Sequence, residues 1–135
     1  MKRYFAYGSN MDVEQMLERC PDAKEWPVVE LSDYEFFIDA RGVASIREKE
    51  GKTVWGVVYE ISQADEQKLD QREGVPTRYT KVLLPEIECF AYTSTSPQGD
   101  KPRDGYLEKI IRAAEAHHFP EAYINELKSW AKNNG

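Results

Sequence analysis

The chain has 135 residues, 41% of them apolar, and a formal net charge of −6, which suits a single domain over residues 1–135 with its own core. The acidic balance argues against a nucleic-acid surface, which needs clustered Lys and Arg, and no apolar run approaches the ~20 residues of a membrane helix. Cys20 and Cys89 are the only cysteines and lack CxxC spacing, so neither a disulfide framework nor a cysteine metal site is expected.

Residues 3–7 alternate and predict a strand, running into Gly8-Ser9-Asn10. Gly8 is free to take backbone angles that other residues avoid, and Ser9 and Asn10 are turn and cap formers. Asp12 and Glu14 open a short helix, 12–19, stopped by Pro21. Residues 28–38 predict strand with a break near Ser32-Asp33. Val43–Arg47 and Thr53–Ile61 predict two strands joined by a hairpin at Glu50-Gly51. Ser62 followed by Asp65 resembles a capping box opening helix 63–72, with Gly74 as its stop. Arg78–Leu84 and Ile87–Thr93 predict strands around Pro85-Glu86, and residues 94–103 a surface loop. A helical region from 104 to 131 breaks at Phe119-Pro120. Its apolar stripes are Leu107, Ile110, Ile111 and Ala114, then Tyr123, Ile124 and Leu127. Hairpin-like links predominate, so an antiparallel sheet or small barrel with helices packed outside is expected.

Two segments carry chemistry. A strand ending in a small-residue turn before a helix points N–H groups outward, where they can hold an anionic oxygen. Glu73, at the C-terminal end of helix 63–72, sits where the helix dipole disfavours an ionised carboxylate. Burial beside Tyr7 and Tyr79 pushes its pKa the same way, towards an acid–base group that works near neutrality. His117-His118 read as a surface helix end rather than metal ligands, and Ser9 has no evident Ser-His-Asp partners. No P-loop, GxGxxG or HExxH is present. Met1-Lys2-Arg3 carries charge, but the apolar run behind it is too short for a signal-peptide core, so a cytoplasmic location is expected.

Taken together, Tyr7-Gly8-Ser9-Asn10-Met11, Gly42-Val43-Ala44-Ser45-Ile46, Val54-Trp55-Gly56-Val57-Val58-Tyr59, Asp70-Gln71-Arg72-Glu73-Gly74, Tyr79, Tyr106-Leu107 and Phe119-Pro120-Glu121-Ala122-Tyr123 resemble the γ-glutamylcyclotransferase family, also called AIG2-like. The resemblance spans nearly the whole chain and implies the fold class α+β: a small mixed, mostly antiparallel β-barrel with surrounding helices. It implies release of 5-oxoproline and a free amino acid from a γ-glutamyl-amino acid, without metal or organic cofactor. It implies Glu73 as the proton-transfer residue, and a substrate-cradling loop at Tyr4, Phe5, Ala6, Tyr7, Gly8 and Ser9 with Asn10 beside it. Tyr79 and Tyr106 are the implied binding tyrosines. Expected partners are a small-molecule γ-glutamyl substrate, with no nucleic acid and no membrane, the protein acting as monomer or homodimer. The compact Gly-Val-Pro-Thr-Arg segment between Glu73 and Tyr79 is closer to the γ-glutamylamine branch, whose members take γ-glutamyl-lysine-like amines. A non-catalytic small-molecule binding module on the same fold is the other alternative.

Overall fold

The computed structural model describes residues 1–134. Its strands are β1 (Lys2–Ala6), β2 (Lys24–Ile38), β3 (Ala44–Ile61), β4 (Tyr79–Leu84) and β5 (Cys89–Ser94). Its helices are α1 (Val13–Arg19), α2 (Gln63–Glu73), α3 (Tyr106–Ala116) and α4 (Glu121–Lys128). Short 3-10 turns cover Ser9–Met11, Pro85–Ile87 and Ser129–Asn134.

The strands form one sheet in the order β2-β3-β1-β5-β4. Only β1 and β5 pair in parallel. The α+β class is as expected, and the sheet curls without closing into a barrel. Loop residues 97–99 supply a partial closure: the Ala40 N–H donates to the Pro97 carbonyl at 2.7 Å and the Gly99 N–H to that of Ile38 at 2.8 Å.

The structure corrects one turn. Glu50-Gly51 does not reverse the chain; β3 runs unbroken from Ala44 to Ile61 and pairs with β2 from Lys24↔Glu60 to Ile38↔Ala44. The reversal lies at residues 39–43, where the buried Asp39 carboxylate accepts from the N–H groups of Arg41 (2.9 Å) and Val43 (3.1 Å). The turn-forming residues inside the pairing serve an irregularity instead. Gly51 has φ +83°, Asp33 has φ +63°, and the register shifts between Ser32 and Tyr34. The Gly51 N–H donates to Asp33 Oδ1 at 3.0 Å. Two turn signals facing each other across a ladder make a bulge, not a hairpin. β2 also starts earlier than expected and contains Pro27, which an edge strand tolerates because one row of its backbone groups needs no partner.

Central β1 is apolar on both faces: Tyr4, Phe5 and Ala6 are all buried. Phe5 lies so close to Gly56 that a Cβ there would meet its ring at 2.6 Å, which is why β3 carries glycine at that point. Truncating a buried ring of this kind costs about 3–5 kcal/mol. On α3, Leu107, Ile110, Ala113 and Ala114 are buried, and on α4 Tyr123 and Leu127 are, following the predicted stripes. Among the described residues no helix is long and apolar enough to cross a membrane.

Candidate active site

The end of β1 and the 3-10 turn after it form one wall of a cavity of about 540 Å³, lined there by Tyr4, Tyr7, Gly8, Ser9 and Asn10. Glu73, Tyr79 and Tyr106 line the same cavity. Residues from both ends of the chain therefore meet in one hollow. Phe5 and Ala6 lie in the core and do not line it.

Local structure sets each wall. α2 begins at Ser62, whose hydroxyl oxygen accepts from the Asp65 N–H at 3.1 Å. It ends at Gly74, which is left-handed at φ +69° with its N–H directed at the Asp70 and Gln71 carbonyls. Glycine adopts that conformation at little cost, so Glu73 is fixed as the last helical residue. Tyr79 and Tyr106 bracket one residue of β3. The Tyr79 hydroxyl donates to the Ala44 carbonyl at 2.8 Å, and the Ala44 N–H donates to the Tyr106 hydroxyl at 3.0 Å. Asn10 donates from Nδ2 to the Tyr4 hydroxyl at 3.1 Å and accepts from Arg19. It is therefore a buried wall residue rather than a helix cap, and the cap of α1 is Asp12.

The turn has the donors that an anionic oxygen needs. Met11 and Asp12 give their N–H groups to the Gly8 and Ser9 carbonyls. The N–H groups of Gly8, Ser9 and Asn10 have no acceptor among the described residues. Gly8 has φ −116° and ψ −136°, so the turn does not depend on a left-handed glycine. What glycine supplies is room, since a Cβ would already touch the Tyr106 hydroxyl at 3.5 Å and Ala44 at 3.6 Å.

The Glu73 carboxylate is half-buried and makes no hydrogen bond or ion pair among the described residues. Burial raises its pKa above the ordinary glutamate value, against the charges of Arg19, Arg72 and Arg78, which pull it down. The surrounding tyrosines are held neutral, chiefly by burial. Tyr106 is pushed up to about 12, and the charge of Glu73 adds to the rise at Tyr4, Tyr7, Tyr79, Tyr92 and Tyr106.

Sequence reasoning missed the cations. Arg19, Arg41, Arg72, Arg78 and Arg103 all line the cavity. Arg41 is held by the buried Asp39 carboxylate and by Ser94, and Arg103 donates to the Arg41 carbonyl at 2.8 Å. Arg72 adjoins Glu73 in the chain, and Arg78 lies between Glu73 and Tyr79, so two of the five were visible as neighbours of candidate residues. The other three come from α1, a turn and a loop, and nothing local marks them. Tyr92, also on the wall, donates to Asp70 at 2.7 Å. No group of His, Cys, Asp and Glu spaced to hold a metal occurs among the described residues.

A mixed α+β sheet thus carries one cavity that is lined both by a carboxylate without a hydrogen-bond partner among the described residues and by a turn with free main-chain donors, a combination suited to a small molecule. Residues 53–127 match the AIG2-like family. Over 97% of its length the chain is 30% identical to a human γ-glutamylcyclotransferase, of which it covers 79%. A solved γ-glutamyl cyclotransferase structure superposes with a TM-score of 0.80 at 29% identity, over 94% of this chain and 86% of that one. YkqA from Bacillus subtilis shares the fold at a TM-score of 0.79 and 23% identity, over 95% of this chain and 53% of that one. The chain belongs to the AIG2-like, or γ-glutamylcyclotransferase, family.

Proposed function

We propose that this cavity releases 5-oxoproline and a free amino acid from a γ-glutamyl-amino acid by intramolecular attack of the substrate's α-amine. The observation that carries the reading is the uncommitted Glu73 carboxylate, on the same cavity wall system as the unpaired N–H groups of Gly8, Ser9 and Asn10.

The substrate brings its own nucleophile, and folding it makes the attack unimolecular, worth about 7–11 kcal/mol when the geometry is right. Glu73, ionised, holds the α-ammonium and accepts a proton from it. The freed amine attacks the γ-carbonyl carbon, and the developing oxyanion is received by main-chain N–H groups, at about 3 kcal/mol per good donor. Glu73 then gives its proton to the leaving nitrogen as the amide C–N bond breaks. The ring nitrogen sheds its second proton, so the amino acid departs with the ammonium charge that the substrate brought. Glu73 regains its carboxylate. Tyr7, Tyr79 and Tyr106 wall the cavity and orient the glutamyl part. Tyr4, Ser9 and Asn10 shape the cradle, with Phe5 and Ala6 packing behind it. The chemistry calls on no metal or organic cofactor, because both the nucleophile and the proton carrier are already in place.

Arginine content favours a leaving group that carries a carboxylate over a simple amine. Five guanidinium groups line the hollow against one carboxylate. A γ-glutamyl-amino acid brings two carboxylates, as does an ε-linked γ-glutamyl-lysine, whereas a γ-glutamyl derivative of a simple amine brings only one. Guanidinium groups suit carboxylates geometrically. Cys20 and Cys89 are free and buried, their thiols pushed up to about 11 by burial, which supports a reducing, cytoplasmic setting.

The test is chromatographic detection of 5-oxoproline across a panel of γ-glutamyl-amino acids and γ-glutamylamines. Wild-type protein should release it fastest from an amino-acid conjugate, and Glu73→Gln should release almost none. Ligand-dependent thermal stabilisation without any 5-oxoproline would instead mark a binding module.

A further inference from the structure

The cradle turn is held from behind by three side chains, none of which lines the cavity. Gln15 on α1 donates from Nε2 to the Ser9 carbonyl at 3.0 Å. Tyr59 on β3, wholly buried, donates its hydroxyl to the Asn10 carbonyl at 2.7 Å. His117, the residue that ends α3, lies with Nε2 2.7 Å from the Met11 carbonyl. A carbonyl can only accept, so Nε2 carries the proton in that contact. His117 is thus not the surface residue its sequence context suggests; it is half-buried and stacks on Phe119.

We propose that Gln15, Tyr59 and His117 are positioning residues that hold three consecutive carbonyls of this turn outward and so aim its N–H groups into the cavity. Peptide planarity supplies the mechanism. The C=O and N–H of one peptide unit point in opposite directions, so the bond from Gln15 to the Ser9 carbonyl sets the Asn10 N–H directly. The Ser9 N–H is set by the Gly8 carbonyl, which the Met11 N–H holds at 3.0 Å. Tyr59 and His117 fix the next two units and prevent the turn from rotating. Preorganised donors are effective because nothing has to reorient as charge develops. Three separate elements converge on three adjacent carbonyls, more than a short turn needs to stay folded. The inference rests on the oxyanion role proposed above.

The test measures kcat and KM for 5-oxoproline release from γ-glutamyl-alanine, alongside hydrogen exchange at the Met11 and Asp12 amides, the two that are hydrogen-bonded within the turn. Gln15→Leu and Tyr59→Phe should each lower kcat on the order of tenfold, part of the ~10²–10³ lost with a whole donor. KM should change little, and exchange at the hydrogen-bonded Met11 and Asp12 amides should quicken. His117→Gln, which keeps an N–H donor, should retain more kcat than His117→Leu. Tyr123→Phe, which alters a buried tyrosine on α4 that packs on Phe119 and makes no hydrogen bond to the turn, is the packing control and should leave kcat unchanged. Unaltered kcat in both Gln15→Leu and Tyr59→Phe overturns the proposal, as does a kcat loss in Tyr123→Phe equal to theirs. If Tyr59→Phe does not fold, Gln15→Leu on the half-buried face of α1 decides the matter. A wild-type protein that releases no 5-oxoproline defeats the cyclotransferase reading instead; unchanged exchange at the Met11 and Asp12 amides then defeats the clamp separately.

Discussion

Glu66 and Glu73 stand seven residues apart on α2, two turns along nearly the same stripe, and the structure treats them in opposite ways. Glu66 is buried and holds Lys81 at 2.7 Å and Lys2 at 3.1 Å. Burial pushes its pKa up, but the hydrogen bonds from Lys81 and Lys2 outweigh that, and the net shift is downward. Glu73 has three arginines near enough to oppose burial but none in contact, and its net shift is upward. Proximity to positive charge therefore does not by itself fix a carboxylate as an anion; direct donation does. Glu66 is committed to structure, whereas Glu73 stays free to exchange a proton with something that enters the cavity.

The largest expected effect of breaking this contrast is on turnover. Glu73→Gln keeps the shape and removes the base, and kcat should fall by about 10²–10⁴ with the fold intact. Near-normal 5-oxoproline release by that variant would remove Glu73 from the mechanism. Next comes the pH profile. Ionised Glu73 is the active form, so kcat/KM should fall as pH drops through its raised pKa, placing the acid limb above the ordinary carboxylate range near ~4.3. The charge of Arg72 lowers that pKa; Arg72→Gln should therefore move the acid limb to higher pH, whatever it does to the maximum rate. Lys81→Met, which removes contacts to Glu66 and Asp70, neither of them on the cavity wall, should leave the limb where it is.

Glu66→Gln should act on stability rather than turnover. It removes two charge-assisted contacts from a buried acceptor, a loss of about 1–2 kcal/mol, trimmed because Lys2 is largely exposed and screened. Thermal unfolding should come roughly 5 °C earlier, with kcat unchanged. A comparable loss of kcat would mean that α2 transmits strain to Glu73 and that the two glutamates are not independent.

Much of this was legible in the chain because local rules and tertiary structure agree there. Ser62 and Gly74 mark the limits of α2 by capping chemistry that needs no neighbour, and so they placed Glu73 at a helix end. The hairpin expected at Glu50-Gly51 shows the opposite case. A left-handed glycine serves a turn or a bulge equally well, and only the partner strand, with Asp33 opposite, decides which. Family resemblance pointed to the cavity's carboxylate and to Tyr4, Tyr7, Tyr79 and Tyr106, but not to Tyr92 or to the arginines as site residues. Arg19, Arg41 and Arg103 sit in unrelated local contexts, and what makes them site residues is a topology that folds three distant segments around one hollow. His117 was misjudged for the same reason, since its partner Met11 lies 106 positions away.

The smallest effect is the most specific to the contrast, because the two glutamates should bend the stability curve in opposite senses. A carboxyl whose folded pKa is raised binds more protons folded than unfolded between the two pKa values, so it weakens the fold as pH rises through that window. Glu73 should thus cost stability at neutral pH, and Glu73→Gln should melt slightly above wild type there. That advantage should vanish below the ordinary carboxylate pKa, where both states are protonated. Glu66, with a lowered folded pKa, contributes stability above the unfolded value and loses it as pH falls through the folded one. The deficit of Glu66→Gln should therefore be full at neutral pH and shrink on acidification. Melting curves for both variants across the acid range check the pair together. A Glu73→Gln protein less stable than wild type at neutral pH would mean that the carboxylate is satisfied after all, and with it would go the reason for regarding it as a proton carrier.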